Sequence, residues 1–212
     1  MAGFNMFEID NPFNNIMTKI FDVVLLNFLF LVCSIPVITI GASASALYCM
    51  TMKMVDDREA GIIKGFFKAF RENFRKSVPM TLMLIVCMAL LMADLHILGQ
   101  TDNSVSMIMY GGCVALLIAV GAVACYAFPL LAKFENTVKG TLVNAAKIAA
   151  THLIQTLIIL LINSIPVIWI LVSPETFAPV FIIWVLTGTG AAAYVNSIFL
   201  VKIFDKLSAA KS

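Results

Sequence analysis

Few residues in this 212-residue sequence combine a type and spacing that could do chemistry. Asp94 and His96 are the one acid–imidazole pair close in sequence. At i, i+2 on a helix they point about 200° apart, so they meet only if the helix ends between them. They also fall within a few residues of a polar turn, where water competes for both. The other histidine, His152, stands at a helix entrance near Lys147, an interfacial position. No HExxH, GxSxG or GxxxxGK[ST] motif occurs, and no Cys/His cluster has metal-ligand spacing. Cys33, Cys49, Cys87, Cys113 and Cys125 all lie in apolar runs without CxxC spacing. They read as small apolar residues, not as a disulfide framework or metal site. The sequence therefore predicts no enzyme, no cofactor and no metal.

Polar groups inside the apolar runs are better candidates, because each costs energy in lipid and tends to face a bundle interior. They are Asp22, Asn27, Asp94, Asn163 and Asn196. Asparagines in such places commonly hydrogen-bond between helices. A carrier would instead gather Asp22, Asn27, Asn163 and Asn196 around a polar cavity. Asp22 is close enough to the start of its run to be hydrated, as a cap or as the partner of Lys19. These groups do not form the chain of ionisable residues that a proton-coupled pump needs.

The elements that must position them are membrane helices. The chain is 61% hydrophobic and 12% charged, with a mean hydropathy of +1.00. Those values lie outside the range of a soluble domain. Apolar runs approach the roughly 20 residues that cross a bilayer. The expected fold is all-α, a polytopic bundle forming one integral membrane domain over 1–212. An amphipathic entry at 1–19 precedes spans at about 20–40, 41–55, 78–98, 105–132, 152–172 and 180–201. The first run is too long for a secretory signal and too poor in flanking cations, so it is expected to stay as a membrane helix. The 41–55 segment, rich in small residues and short, is a full crossing or a shallow re-entrant limb.

The longest polar interval, Lys53 to Pro79, holds seven of the fourteen basic residues and four phenylalanines. Phe66, Phe67, Phe70 and Phe74 recur with Ile62 and Ile63 at helical spacing on one face. Lys64, Lys68, Arg71, Arg75 and Lys76 fall mainly on the other. A helix so divided lies in a membrane interface, rings in the acyl boundary and cations among headgroups. The interfacial helix is placed at 56–77.

All fourteen Lys and Arg fall near the N-terminus, in 53–76, in 133–147 or in the C-terminal tail. The turns at 99–104 and 173–179 hold none and carry Asp102 and Glu175. The positive-inside rule puts the basic regions and both termini in the cytoplasm. An internal similarity fits three helical hairpins. Ser34 to Ile38 recurs as Ser164 to Ile168, and Lys64-Gly65 recurs as Lys139-Gly140. The returning helices share small-residue runs, Gly41 to Ala46, Gly121 to Cys125 and Gly190 to Ala193, which permit close packing in lipid.

Asn11-Pro12-Phe13, the block from Cys33 to Tyr48 and the block from Lys64 to Lys76 resemble the YesL-like family of bacterial membrane proteins. The resemblance runs along nearly the whole length. It implies a small multi-span protein of the bacterial plasma membrane whose genes sit beside carbohydrate ABC importers. It brings no catalytic residues. Glu59-Ala60-Gly61 followed by Gly65 also resembles the start of the permease loop that docks on an importer ATPase. Gly61 replaces Ala there, and Val78-Pro79 falls one residue late. The expected function is a non-enzymatic accessory protein of carbohydrate import, with a self-contained transporter as the alternative and an intramembrane enzyme the least favoured. The partners expected are the lipid bilayer and, on the resemblance, permease or ATPase subunits of a sugar importer, with no nucleic acid.

Overall fold

The computed structural model describes residues 12–58, 61–100 and 103–209. The entry segment expected at 1–19 therefore lies outside the described residues up to Asn11, as do Glu59, Ala60 and Asp102. Among the described residues every regular element is helical. Helices α1 (Pro12–Ser34) and α2 (Ile40–Val55) form the first hairpin, joined through a 3-10 turn, Val37–Thr39. Then come α3 (Ile62–Leu98), α4 (Ser104–Lys133), α5 (Val138–Thr151) and α6 (Leu153–Val172). The chain ends in α7 (Phe177–Ile183), a π turn at Trp184–Gly188, and α8 (Thr189–Ala209). Six helical stretches are long and apolar enough to cross a membrane, α7 to α8 counting as one. This is the all-α polytopic bundle that the hydropathy predicts.

Local chemistry sets the breaks. Pro36 has no N–H and disfavours helix at Ile35, so α1 stops at Ser34. Thr39 Oγ1 then donates to the Cys33 and Pro36 carbonyls at 2.6 Å, covering acceptors that the broken helix leaves open. After α2, Asp57 adopts a left-handed φ of 50°. Arg58 N–H donates to Lys53 O at 2.9 Å and Asp57 N–H to Met54 O at 3.3 Å, the pairing of a Schellman cap. Asn103 caps α4 by accepting from Ser106 N–H at 2.7 Å, and Thr137 caps α5 by accepting from Gly140 N–H at 3.2 Å.

One expected boundary is absent. The interfacial helix placed at 56–77 and the span placed at 78–98 are a single helix, α3, with Pro79 inside it. Proline removes one ladder bond but need not end a helix whose two halves share a buried face. Here Phe66, Ala69, Ser77, Met80 and Thr81 make one continuous inward stripe across Pro79. The repeated Ser-Ile-Pro-Val-Ile segments also diverge. Pro36 ends α1, whereas Pro166 sits within α6.

The short helix α2 is the hub and packs on α1, α3, α4 and α8. In its apolar window 61% of residues are buried, against 33% in α4, 11% in α6 and 6% in α3. Small residues permit this. A Cβ on Gly41 would overlap Thr81 Oγ1 and the Phe128 ring, so α2, α3 and α4 cross there at closer than side-chain distance. Two ion pairs tie the basic end. Lys19 reaches Asp57 at 2.7 Å, and Lys133 reaches Asp205 at 2.8 Å. The start of α1, the α2–α3 turn and the ends of α4 and α8 therefore lie together.

Candidate functional site

The first half of α3 carries three side-chain arcs. Phe66, Ala69 and Ser77 turn into the bundle, where Phe66 is fully buried with Leu26, Leu47 and Met50. At about 100° per residue, Ile63, Phe67 and Phe74 form a second arc roughly 80° around the helix. These three are exposed, Phe67 by 48%. Next to them Lys64, Lys68, Arg71 and Arg75 form an exposed cationic arc, with Lys76 also exposed on the far side. Phe70 is half-buried, and its ring lies 6.5 Å from Phe66 and 5.6 Å from Phe74. The four phenylalanines expected on one interfacial face are thus divided. Phe66 is core, Phe70 borders the core, and Phe67 and Phe74 face outward beside the cations.

The intramembrane polar residues do not converge on one cavity. Asn27 is fully buried in α1 and reaches the π turn. Its Nδ2 donates to Val185 O at 2.8 Å and Leu186 O at 2.6 Å. Its Oδ1 accepts from Gly190 N–H at 2.8 Å and from the Thr189 hydroxyl. A π turn leaves the helix ladder out of step, and this one amide serves both the donor and the acceptors so exposed. Gly190 makes the approach possible, since a Cβ there would sit 2.8 Å from Asn27 Cβ and 2.9 Å from Val23 O.

Asn196 is also fully buried, donating to the Tyr48 hydroxyl at 3.4 Å while its Oδ1 has no partner. It belongs to a polar seam around α2, with Thr51 to Ser197 at 2.8 Å and Ser45 to Ser77 at 3.3 Å. Asn163 is exposed on α6 and donates to Ile159 O at 2.8 Å and to Cys125 Sγ at 3.9 Å. Asp22 is half-buried near the start of α1. Asp94 and His96 are both exposed near the end of α3, and His96 Nε2 lies 3.1 Å from Gln100 Nε2. Glue is therefore the observed use of Asn27, and no pairing joins Asp94 to His96. Among the described residues no group of His, Cys, Asp and Glu is placed to hold a metal ion, and all five cysteines are free and half-buried.

Sequence reasoning missed the π turn and the polar seam. The Thr-Gly-Thr-Gly run at 187–190 was the available signal, since Gly in an apolar helix marks close backbone approach. Tyr126, whose hydroxyl lies 3.0 Å from Thr156 Oγ1, joins α4 to α6 in the same way.

An all-α bundle with six membrane-length helices and a basic end defines a multi-pass integral membrane protein. Residues 23–95 match the family model described as a protein of unknown function, DUF624, the family that holds the YesL-like proteins. The match runs from the middle of α1 to near the end of α3 and so takes in the second half of α1, all of α2 and the whole amphipathic half of α3. No curated protein and no solved structure matches the chain.

Proposed function

We propose that this protein is a non-enzymatic accessory subunit of the bacterial plasma membrane, serving carbohydrate import through a docking surface on the first half of α3. The observation that carries this reading is the exposed arc of Ile63, Phe67 and Phe74 beside Lys64, Lys68, Arg71 and Arg75. The bundle leaves that arc uncovered although Phe66, one residue away, is fully buried. The sugar-importer context comes from the YesL-like resemblance, and the partner class is a permease or ATPase subunit. The positive-inside rule gives the arc, both termini and the α4–α5 link to the cytoplasm. Affinity purification from the native host in mild detergent, with mass spectrometry of co-eluting proteins, tests it. Importer subunits that co-elute with the native protein and are lost with Phe67→Asp and Arg71→Glu support the reading. A solitary protein defeats it.

A self-contained carrier is the second reading, favoured by the polar seam and the buried, unpartnered Oδ1 of Asn196. Solute flux into liposomes holding the purified protein alone would establish it over the first.

A further inference from the structure

We propose a phospholipid site in the groove between α1 and α8, taking an acyl chain along the groove and an anionic headgroup at Lys19. The groove encloses about 450 Å³ and is lined by Ile16, Lys19, Ile20, Val23 and Val24 of α1 and by Thr187, Ala191, Tyr194 and Val195 opposite. That volume is in the range of small-molecule sites. Its shape follows from the Asn27 clamp. At Gly190 the two helices approach within backbone contact of Val23 and Asn27, and α1 leads from there back toward Lys19 over about 12 Å. With the two helices drawn together at the clamp and the groove lined mostly by aliphatic side chains, it suits a chain rather than a polar solute.

The headgroup end is defined by charge. Lys19 and Tyr194 line the groove at the basic end of the bundle, where the helix starts and ends lie together. The Lys19 ammonium has three donors, and its one ion pair is to Asp57 at 2.7 Å. That pair is solvent-accessible, Lys19 being 43% and Asp57 77% exposed, so it exchanges at little cost. A phosphodiester at the mouth would take the remaining donors, while aliphatic residues on both helices hold the chain. No other charged residue lines the groove among the described residues.

Native mass spectrometry of the protein released from nanodiscs of equal phosphatidylglycerol and phosphatidylcholine tests this. The native protein should retain one phospholipid, with phosphatidylglycerol favoured about fivefold, the discrimination one cation near a headgroup supplies. Lys19→Gln should bring the two lipids to parity while a lipid is still retained. Asp57→Asn, which breaks the same ion pair but leaves the cation, should keep or strengthen the preference. Ala191→Trp, or Ala191→Leu if the larger variant misfolds, should fill the groove and abolish retention of both lipids. The site is refuted if no lipid is retained, or if Lys19→Gln keeps the preference. It is equally refuted if Asp57→Asn loses the preference, or if filling the groove leaves retention unchanged.

Discussion

Replacing Asn27 with leucine tests whether the π turn is held from outside by one amide. Leucine keeps the branching of the side chain and removes its hydrogen-bonding groups. Three backbone groups lose their Asn27 partner, the part-buried carbonyls of Val185 and Leu186 and the buried N–H of Gly190. An unmade hydrogen bond to a buried group costs about 1 kcal/mol at the low end, and interhelical pairs in membranes average about 0.6 kcal/mol. Three such losses give a destabilisation of about 2–3 kcal/mol. Gly190→Ala attacks the same junction by overpacking and should cost about 1–3 kcal/mol, because Val23 O is backbone and cannot swing aside. The double variant should cost less than the sum, since each change separates the same two helices. Unfolding by titration with a denaturing detergent, followed by tryptophan fluorescence, reads all three, and Trp184 stands in the turn itself. An Asn27→Leu protein within about 0.5 kcal/mol of the native one would refute the clamp.

Three further outcomes separate the roles assigned to single residues. Phe66→Ala should destabilise the protein by about 3–5 kcal/mol as a core truncation. Phe67→Ala, by contrast, should stay within about 0.5 kcal/mol in the same titration; similar losses at both would contradict the division of the α3 faces. Gly41→Ala should destabilise by about 1–3 kcal/mol through collision with Thr81 and Phe128, and a neutral result would show that α2 has room to shift. Cysteines placed at Asn103 and Glu175 in a cysteine-free background should react with a membrane-impermeant maleimide on intact cells. Reaction only after permeabilisation would reverse the orientation.

The fold class was legible because crossing a bilayer demands long apolar runs that nothing else in a sequence imitates. Close packing through Gly41 and Gly190 was legible for a related reason, since helices in lipid associate by backbone approach. The continuity of α3 was not. Its first half is polar and its second apolar, with Pro79 at the change, so composition marks a boundary where the backbone has none. What joins the halves is a stripe of inward residues whose partners on α2 lie far away in sequence. The fate of the phenylalanines was hidden in the same way. Phe66 and Phe67 are adjacent and chemically identical, and only the position of Met50 and Leu47 decides which one is core. Asn27 illustrates the point across the whole chain, because its partners begin 158 residues later, and the Thr-Gly-Thr-Gly run there marks a close approach without saying which helix approaches.

The length of α3 bears on where the bundle is rigid. Its 37 residues extend about 56 Å, nearly twice the roughly 30 Å of bilayer hydrocarbon. Helix α2 packs along the part from Phe66 to Thr81, as the contacts of Gly65 with Met50, Ser45 with Ser77 and Gly41 with Thr81 establish. Beyond Thr81 no residue of α3 is fully buried, and the same is true of α6 beyond Ile159. The packed core is therefore concentrated at the basic end. At the other end Met107, Ile108, Leu171 and Val172 are all at least 75% exposed. Lipid, not protein, must solvate those apolar ends, because side chains so exposed gain nothing from the bundle and would aggregate in water. A rigid basic end and lipid-supported opposite arms follow from one cause, the shortness of α2. The hub stops at Ile40, and the longer helices continue without it.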